Sequence, residues 1–369
     1  MFDFRTSFIL LKNSFSLSSD SLRFLSLNRI IFLFLVFPFM AALILANWVF
    51  LWLDDVFFPA YRKLNVERNI FVIGLPRSGT TYLLDLICSD PEKFTAFSLG
   101  ELVFAPSIIQ KYFFRKLLAF DRIAGNPSRQ TLVYLEKSLF RKIRGIHSPS
   151  FFAIEEDEYI FIYLFRSVYL HFLFPELDDQ HNLLVRDRLC NTRSGERMMR
   201  FYADAIRRHN YVFNRGGQRI FVSKNPAYSG MIRLLYEHFP KSFYINPVRN
   251  KRESISSALS LSARLYAMTC RVTGQLSFRQ KTISMLVAWS NNMAQFSIQH
   301  ASDGQYMEIG FPVLVARPYW SLQKIYNLLT ITMSVTVRNL CLQWERDSRN
   351  YRSEHCYEVV SEGELDEQI

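Results

Sequence analysis

Residues 70–73 form a short apolar run, Gly74-Leu75-Pro76-Arg77-Ser78-Gly79-Thr80-Thr81 follows, and an apolar helical pattern occupies 81–88. The order predicts strand, glycine loop and helix, the arrangement in which backbone N–H groups and the positive end of a helix dipole converge on an anion. Ser78, Thr80 and Thr81 add hydroxyl donors, and Arg77 adds a fixed cation. The spacing is that of G-x-x-x-x-G-K-[ST], except that Thr80 replaces the lysine that serves the β- and γ-phosphates of a nucleoside triphosphate. A phosphate-binding loop is therefore expected, for a ligand that does not call for that lysine.

Strands and helices alternate again further on. Residues 220–223, 242–245 and 305–309 read as strands, and 228–238, 252–265, 279–300 and 319–329 as helices. Such alternation implies a parallel sheet covered on both faces. The stretch 89–214, rich in Phe, Tyr and Leu, reads as a largely helical insertion able to wall a substrate pocket. The expected fold class is thus α/β, a three-layer fold with a parallel central sheet like that of the P-loop NTPases. Lys224 follows one strand directly, and Arg249 follows the next, with Ser254, Ser256 and Ser257 in the helix after it. Ligands of open α/β sheets bind beyond the carboxyl ends of the strands, so Arg77, Lys224 and Arg249 are expected to face one crevice.

Residues 30–53 are uncharged and strongly apolar, and at about 1.5 Å per residue they are long enough to cross a bilayer core of about 30 Å. This predicts one transmembrane or membrane-anchoring helix; a buried helix or a segment bent at Pro38 is the plainer alternative. Lys and Arg flank it on both sides, so charge does not set its orientation. The absence of an Asn-X-Ser/Thr acceptor favours a cytoplasmic-facing catalytic domain. The chain divides into an N-terminal segment 1–29, the anchor 30–53, a connector 54–68, a catalytic domain 69–353 and an acidic tail 354–369.

The net charge is +11, and because the last seventeen residues hold six carboxylates and no Lys or Arg, the chain before them stands near +17. Such a body favours anionic partners: phosphorylated cofactors, nucleic acid or anionic lipid. The five cysteines form neither a CxxC pair nor a zinc spacing, so no metal is expected.

Residues 69–81 and 221–257 resemble the P-loop-related sulfotransferases, in particular the branch of the tyrosylprotein sulfotransferases and bacterial membrane-linked relatives. The likeness lies in Pro76-Arg77-Ser78-Gly79-Thr80-Thr81, Lys224-Asn225-Pro226, Phe239-Pro240, and Arg249 with Ser257 eight residues on. It implies 3′-phosphoadenosine 5′-phosphosulfate as co-substrate, its 5′-phosphosulfate on Arg77, Ser78, Gly79, Thr80 and Thr81 and its 3′-phosphate on Arg249 and Ser257. Lys224 would stabilise the transferring group. The chain departs from the family pattern at Asn250, where Asp is common, and at Gly310-Phe311-Pro312, which puts the distal contacts in doubt.

Transfer to a hydroxyl acceptor also needs a base. Glu101 resembles in placement the catalytic glutamate of the tyrosylprotein branch, and His147 is its rival. Glu155-Glu156-Asp157-Glu158 is expected first as a solvated helix face, although four carboxylates could pair with the pocket cations. The apolar anchor points to a bilayer partner and to a lipid, glycolipid or other membrane-proximal acceptor; no nucleic acid is expected, and the oligomeric state is open. Two rival readings are a Mg-dependent P-loop nucleotide phosphotransferase and a non-catalytic membrane-tethered nucleotide-binding protein. The missing loop lysine argues against the first, and intact Arg77, Lys224, Arg249 and Ser257 against the second.

Overall fold

In the computed structural model, residues 27–139, 150–174, 184–269 and 275–348 are described. His147 and the acidic tail lie outside them. Five strands, β1 (Ile70–Val72), β2 (Phe94–Thr95), β3 (Ile220–Lys224), β4 (Phe243–Val248) and β5 (Tyr306–Gly310), form one sheet in the order β2-β3-β1-β4-β5. Every pairing is parallel. The helices used below are α1 (Phe37–Phe57), α2 (Thr80–Cys88), α3 (Leu99–Phe104), α4 (Ile108–Ile123), α5 (Pro127–Leu139), α6 (Arg193–Phe213), α7 (Ile232–His238), α8 (Lys251–Thr269), α9 (Gln275–His300), α10 (Phe311–Ala316), α11 (Pro318–Leu329) and α12 (Val335–Ser348).

The period of two along β1 divides the core. Ile70 and Val72 join Leu83, Leu86, Val222, Ile245 and Leu322 on one face of the sheet. Phe71 and Ile73 join Tyr202, Phe221, Tyr228 and Tyr244 on the other. Because both faces are covered, β1 reads as an unbroken apolar run. Phe71 is fully buried, and its ring lies 5.5 Å from that of Tyr244 in a stacked pair. Truncating such a side chain typically costs about 3–5 kcal/mol.

The sheet and its helices differ from the sequence reading in several places. The insertion holds a strand, β2, too short at two residues to show a period but sufficient to extend the sheet beside β3. Residues 226–230 are a 3₁₀ turn, and α7 begins only at Ile232, since Pro226 and Gly230 both disfavour an α-helical interior. Helix α12 was not anticipated; its Val337 and Cys341 are buried against the core of the sheet.

Among the described residues one helix is long and apolar enough to cross a membrane, and it runs through Leu27–Ile31, a π turn at Phe32–Val36, and α1. Pro38 does not bend it out of the helix. Its ring would meet the carbonyl four residues back, and the wider π turn lies at that place. The helix continues past the expected end of the apolar segment to Phe57, because Asp54 has partners inside the protein. Asp54 is fully buried, accepts N–H bonds from Ile108 (2.8 Å) and Ile109 (3.2 Å), and pairs with Arg208 Nε at 3.1 Å.

Candidate active site

The loop after β1 turns at two glycines for which no other residue substitutes freely. Gly74 has φ +118°, and a Cβ there would stand 2.6 Å from Asn246 Oδ1 of β4. Gly79 has φ +99°, and a Cβ there would meet the Phe311 ring at 2.7 Å. Between them Arg77 adopts φ +66°, a left-handed conformation uncommon outside glycine. Ser78 is buried with its hydroxyl on the Leu75 carbonyl (2.8 Å), and Thr80, also buried, opens α2. Thr81 is exposed.

Arg77 Nε donates to Ser257 Oγ (3.2 Å) on α8, while Arg249 Nη1 donates to the Arg77 carbonyl (3.2 Å). Arg77, Arg249 and Ser257, separated by up to 180 positions, are thus one connected group. Arg249 also pairs with Glu253 at 2.9 Å and lies 5.0 Å from the Phe311 ring centroid. The two departures from the expected pattern are accommodated locally. Asn250 Oδ1 accepts from the N–H groups of Arg252 (3.0 Å) and Glu253 (3.3 Å), the N-capping that Asp would supply equally well. Phe311, starting α10 directly after β5, packs over Gly79 and Arg249 as a wall. Val248, Arg249, Glu253, Phe311 and Val315 line a cavity of about 690 Å³.

Lys224 stands opposite Val72, the last residue of β1, so it borders the loop from the neighbouring strand. It is almost completely buried, and its Nζ lies 2.6 Å from Glu156 Oε1. Tyr169 OH holds the other Glu156 oxygen at 2.9 Å. The run Glu155–Glu158 is therefore not a solvated face. Three of its four members are buried, because Glu155 N bonds the Phe97 carbonyl (3.1 Å) and draws the segment against the sheet. Glu158 makes a two-oxygen pair with fully buried Arg186 (3.2 and 2.9 Å) and accepts from Asn225 Nδ2 (2.7 Å). Asp157 accepts from Tyr202 OH (2.5 Å), and burial pushes its carboxyl up to about 7 against the opposing pull of Tyr202, Ser223 and Lys224.

Glu101 lies in the first turn of α3, capped by Ser98. One oxygen, Oε1, meets both His209 Nδ1 (2.7 Å) and Lys111 Nζ (3.3 Å). His209 Nε2 in turn lies 2.7 Å from Thr95 Oγ1. Burial alone would raise this carboxyl, but His209 and Lys111 hold it below the usual carboxylate range. Lys111 and His209 carried no local motif, and only the packing of α4 and α6 brings them to Glu101. The glycine loop after β1, the Arg77–Ser257–Arg249 group and a buried lysine on the neighbouring strand thus stand together at the carboxyl edge of the sheet.

A sulfotransferase family model matches residues 69–334. The chain belongs to the sulfotransferase family. Its fold matches that of solved sulfotransferases: STF9 from Mycobacterium avium (TM-score 0.69, 15 % identity, 92 % of this chain and 81 % of that one). STF1 from Mycobacterium tuberculosis H37Rv gives TM-score 0.68 at 17 % identity, over 99 % of this chain and 91 % of that one. A search of curated proteins gave no match. At such identities the solved structures speak for the fold alone, and the family match is what makes this chain a sulfotransferase enzyme.

Proposed function

We propose that this sulfotransferase uses 3′-phosphoadenosine 5′-phosphosulfate as donor and a membrane-proximal hydroxyl as acceptor. The observation that carries the reading is the hydrogen bond from Arg77 to Ser257, with Arg249 on the Arg77 carbonyl. It ties the loop suited to the 5′-phosphosulfate to the pair suited to the 3′-phosphate. The two glycine positions leave the backbone open to an approaching phosphate, and a cavity of about 690 Å³ beside Arg249 lies within the range of small-ligand pockets.

Ser78, Thr80, Thr81 and the N–H groups from Gly79 onward would hold the phosphosulfate. Arg249 and Ser257 would hold the 3′-phosphate. The acceptor oxygen attacks sulfur in line, one S–O bond forms as the bridging S–O bond breaks, and the electron pair leaves on adenosine 3′,5′-bisphosphate. Lys224 and Arg77 neutralise the charge that develops on that bridging oxygen. The acceptor proton passes to Glu101, whose carboxylate Lys111 and His209 keep ionised and oriented through Oε1. Glu156 is the second candidate base, favoured by its 2.6 Å contact with Lys224. The anchoring helix and a cytoplasmic-facing domain remain part of the same proposal.

Calorimetry of adenosine 3′,5′-bisphosphate and of ATP tests the donor. The bisphosphate should bind more tightly than ATP without added Mg²⁺, and Arg249→Ala should weaken it by about 30-fold or more, the range for removing a charged partner of a phosphate. A preference for ATP with Mg²⁺ would move the protein to nucleotide phosphotransfer. Loss of affinity in Arg249→Ala that is equal for an analogue lacking the 3′-phosphate would remove Arg249 from its assigned role.

A further inference from the structure

Helix α1 is fastened along its flank rather than at one end. Its buried residues, Ile44, Asn47, Leu51 and Asp54, recur at the helical period and face the domain. Asn47 donates to the Val103 carbonyl (3.0 Å) and accepts from Gln110 Nε2 (2.6 Å), while Asp54 is held by α4 and Arg208. Nearer the N-terminus, Phe32 and Leu33 pack with Phe165, Leu170 and Phe174. A helix held at both ends of its length cannot stand across a bilayer without carrying the face of the domain into the hydrocarbon. The side turned away from the domain is apolar: Leu45, Val49, Trp52 and Val56 are 41–63 % exposed.

The helix against which α1 packs has the same character. On α4, Phe113, Leu117, Phe120 and Ile123 share one side at the helical period and are 45–86 % exposed. Lys116 is exposed on the same side, and the one acidic residue of α4, Asp121, is buried. An exposed apolar stripe with aromatic residues and a lysine, and with no exposed acid on its helix, is the pattern of a helix that lies in the plane of a membrane interface.

We propose that α1 and α4 form a platform that seats this protein in one leaflet of an anionic bilayer, with neither helix crossing it. The exposed Lys116, the burial of the one acid of α4, and the packing of α4 on the equally apolar α1 select lipid as the occupant. The platform also fixes where the chemistry stands. Lys111, on the inner side of α4, is the residue that holds Glu101. The candidate base is thus about one helix diameter, roughly 10 Å, from the lipid face. That places the acceptor among hydroxyls carried at the headgroup level, and this part alone rests on the sulfuryl-transfer reading.

Flotation of the full chain tests the platform, using vesicles of phosphatidylcholine with and without phosphatidylglycerol. Wild type should float with both and more strongly with the anionic lipid. The variant Phe113→Gln/Phe120→Gln/Ile123→Gln should lose about tenfold or more in partitioning, and so should Val49→Gln/Trp52→Gln, each retaining its affinity for adenosine 3′,5′-bisphosphate. Unchanged flotation of the α4 variant would overturn the proposal in favour of α1 acting alone. A vesicle-free dimer in light scattering that the same substitutions dissociate would overturn it in favour of a second copy. If wild type floats as expected but binds no bisphosphate, the donor assignment fails and the platform stands.

Discussion

Lys224 Nζ lies 2.6 Å from Glu156 Oε1, and the strand that carries Lys224 pairs directly with the strand that feeds the glycine loop. The ion pair holds the Lys224 ammonium at a fixed point, where on the proposed reading the bridging oxygen of the donor would leave. Removing an electrostatic stabiliser of that kind commonly costs about 10²–10³ in kcat. Lys224→Ala should show such a loss in sulfuryl transfer while bisphosphate affinity changes much less. A parallel loss in affinity would make Lys224 a ground-state contact.

Glu101→Gln separates chemistry from architecture. Removing the charge leaves buried Lys111 with only the Ala105 and Pro106 carbonyls and no anion, and breaking a buried pair costs about 3–5 kcal/mol, so the melting temperature should fall. If Glu101 is also the base, kcat per folded molecule drops by about 10²–10⁴. Because Lys111 and His209 hold the carboxyl low, the wild-type rate should persist through neutral pH and fade only in acid. A variant that is unstable but fully active would transfer the base to Glu156, and Glu156→Gln would then carry the loss of kcat.

Gly79→Ala tests the loop without touching charge. The left-handed φ of +99° and the Phe311 ring 2.7 Å from the added methyl both oppose it, at a cost of about 1–3 kcal/mol. Bisphosphate titration should show weakened binding together with a lower melting temperature. Gly304→Ala, where a Cβ meets nothing within 4 Å, should leave both unchanged.

Asp157 supplies a pH signature of folding. Burial raises its carboxyl to about 7 in the folded protein from an ordinary value of 3.8, so the folded state binds more protons between those values. Its contribution to stability therefore declines as pH rises through that window, by up to about 4 kcal/mol. Chemical denaturation from pH 4 to pH 7 should show Asp157→Asn gaining on wild type as pH increases. A constant difference would mean that Asp157 is ionised in both states.

The strand, loop and helix at 70–88 were legible because their signals are local: a continuous apolar run, two glycines at a fixed spacing, and a helix-period pattern. Lys224 and Arg249 were legible for the same reason, as cations placed directly after strands. The four-residue acidic run reads first as a solvated face because a charge run shows no direction by itself, and the structure instead bears out its alternative, with Glu156 paired to Lys224. Only the fold reveals that Glu158 faces Arg186 and that Asp157 faces Tyr202. The apolar composition of α1 is equally legible in sequence, but nothing local marks the role of Asn47 within it. Its partners at Val103, Gln110 and Tyr163 lie more than fifty positions away.

The parallel α/β architecture, the glycine loop with Thr80 where a lysine would serve a triphosphate, and the family are all written in local signals of the chain. These depend on periodicity and on residues within a few positions of one another. The tertiary structure alone decided that Arg77, Arg249 and Ser257 form one group, that Lys111 and His209 hold Glu101, and that α1 lies along the domain. Those relations join segments up to 180 positions apart, and their energies come from burial and ion pairing that exist only once the chain has closed on itself.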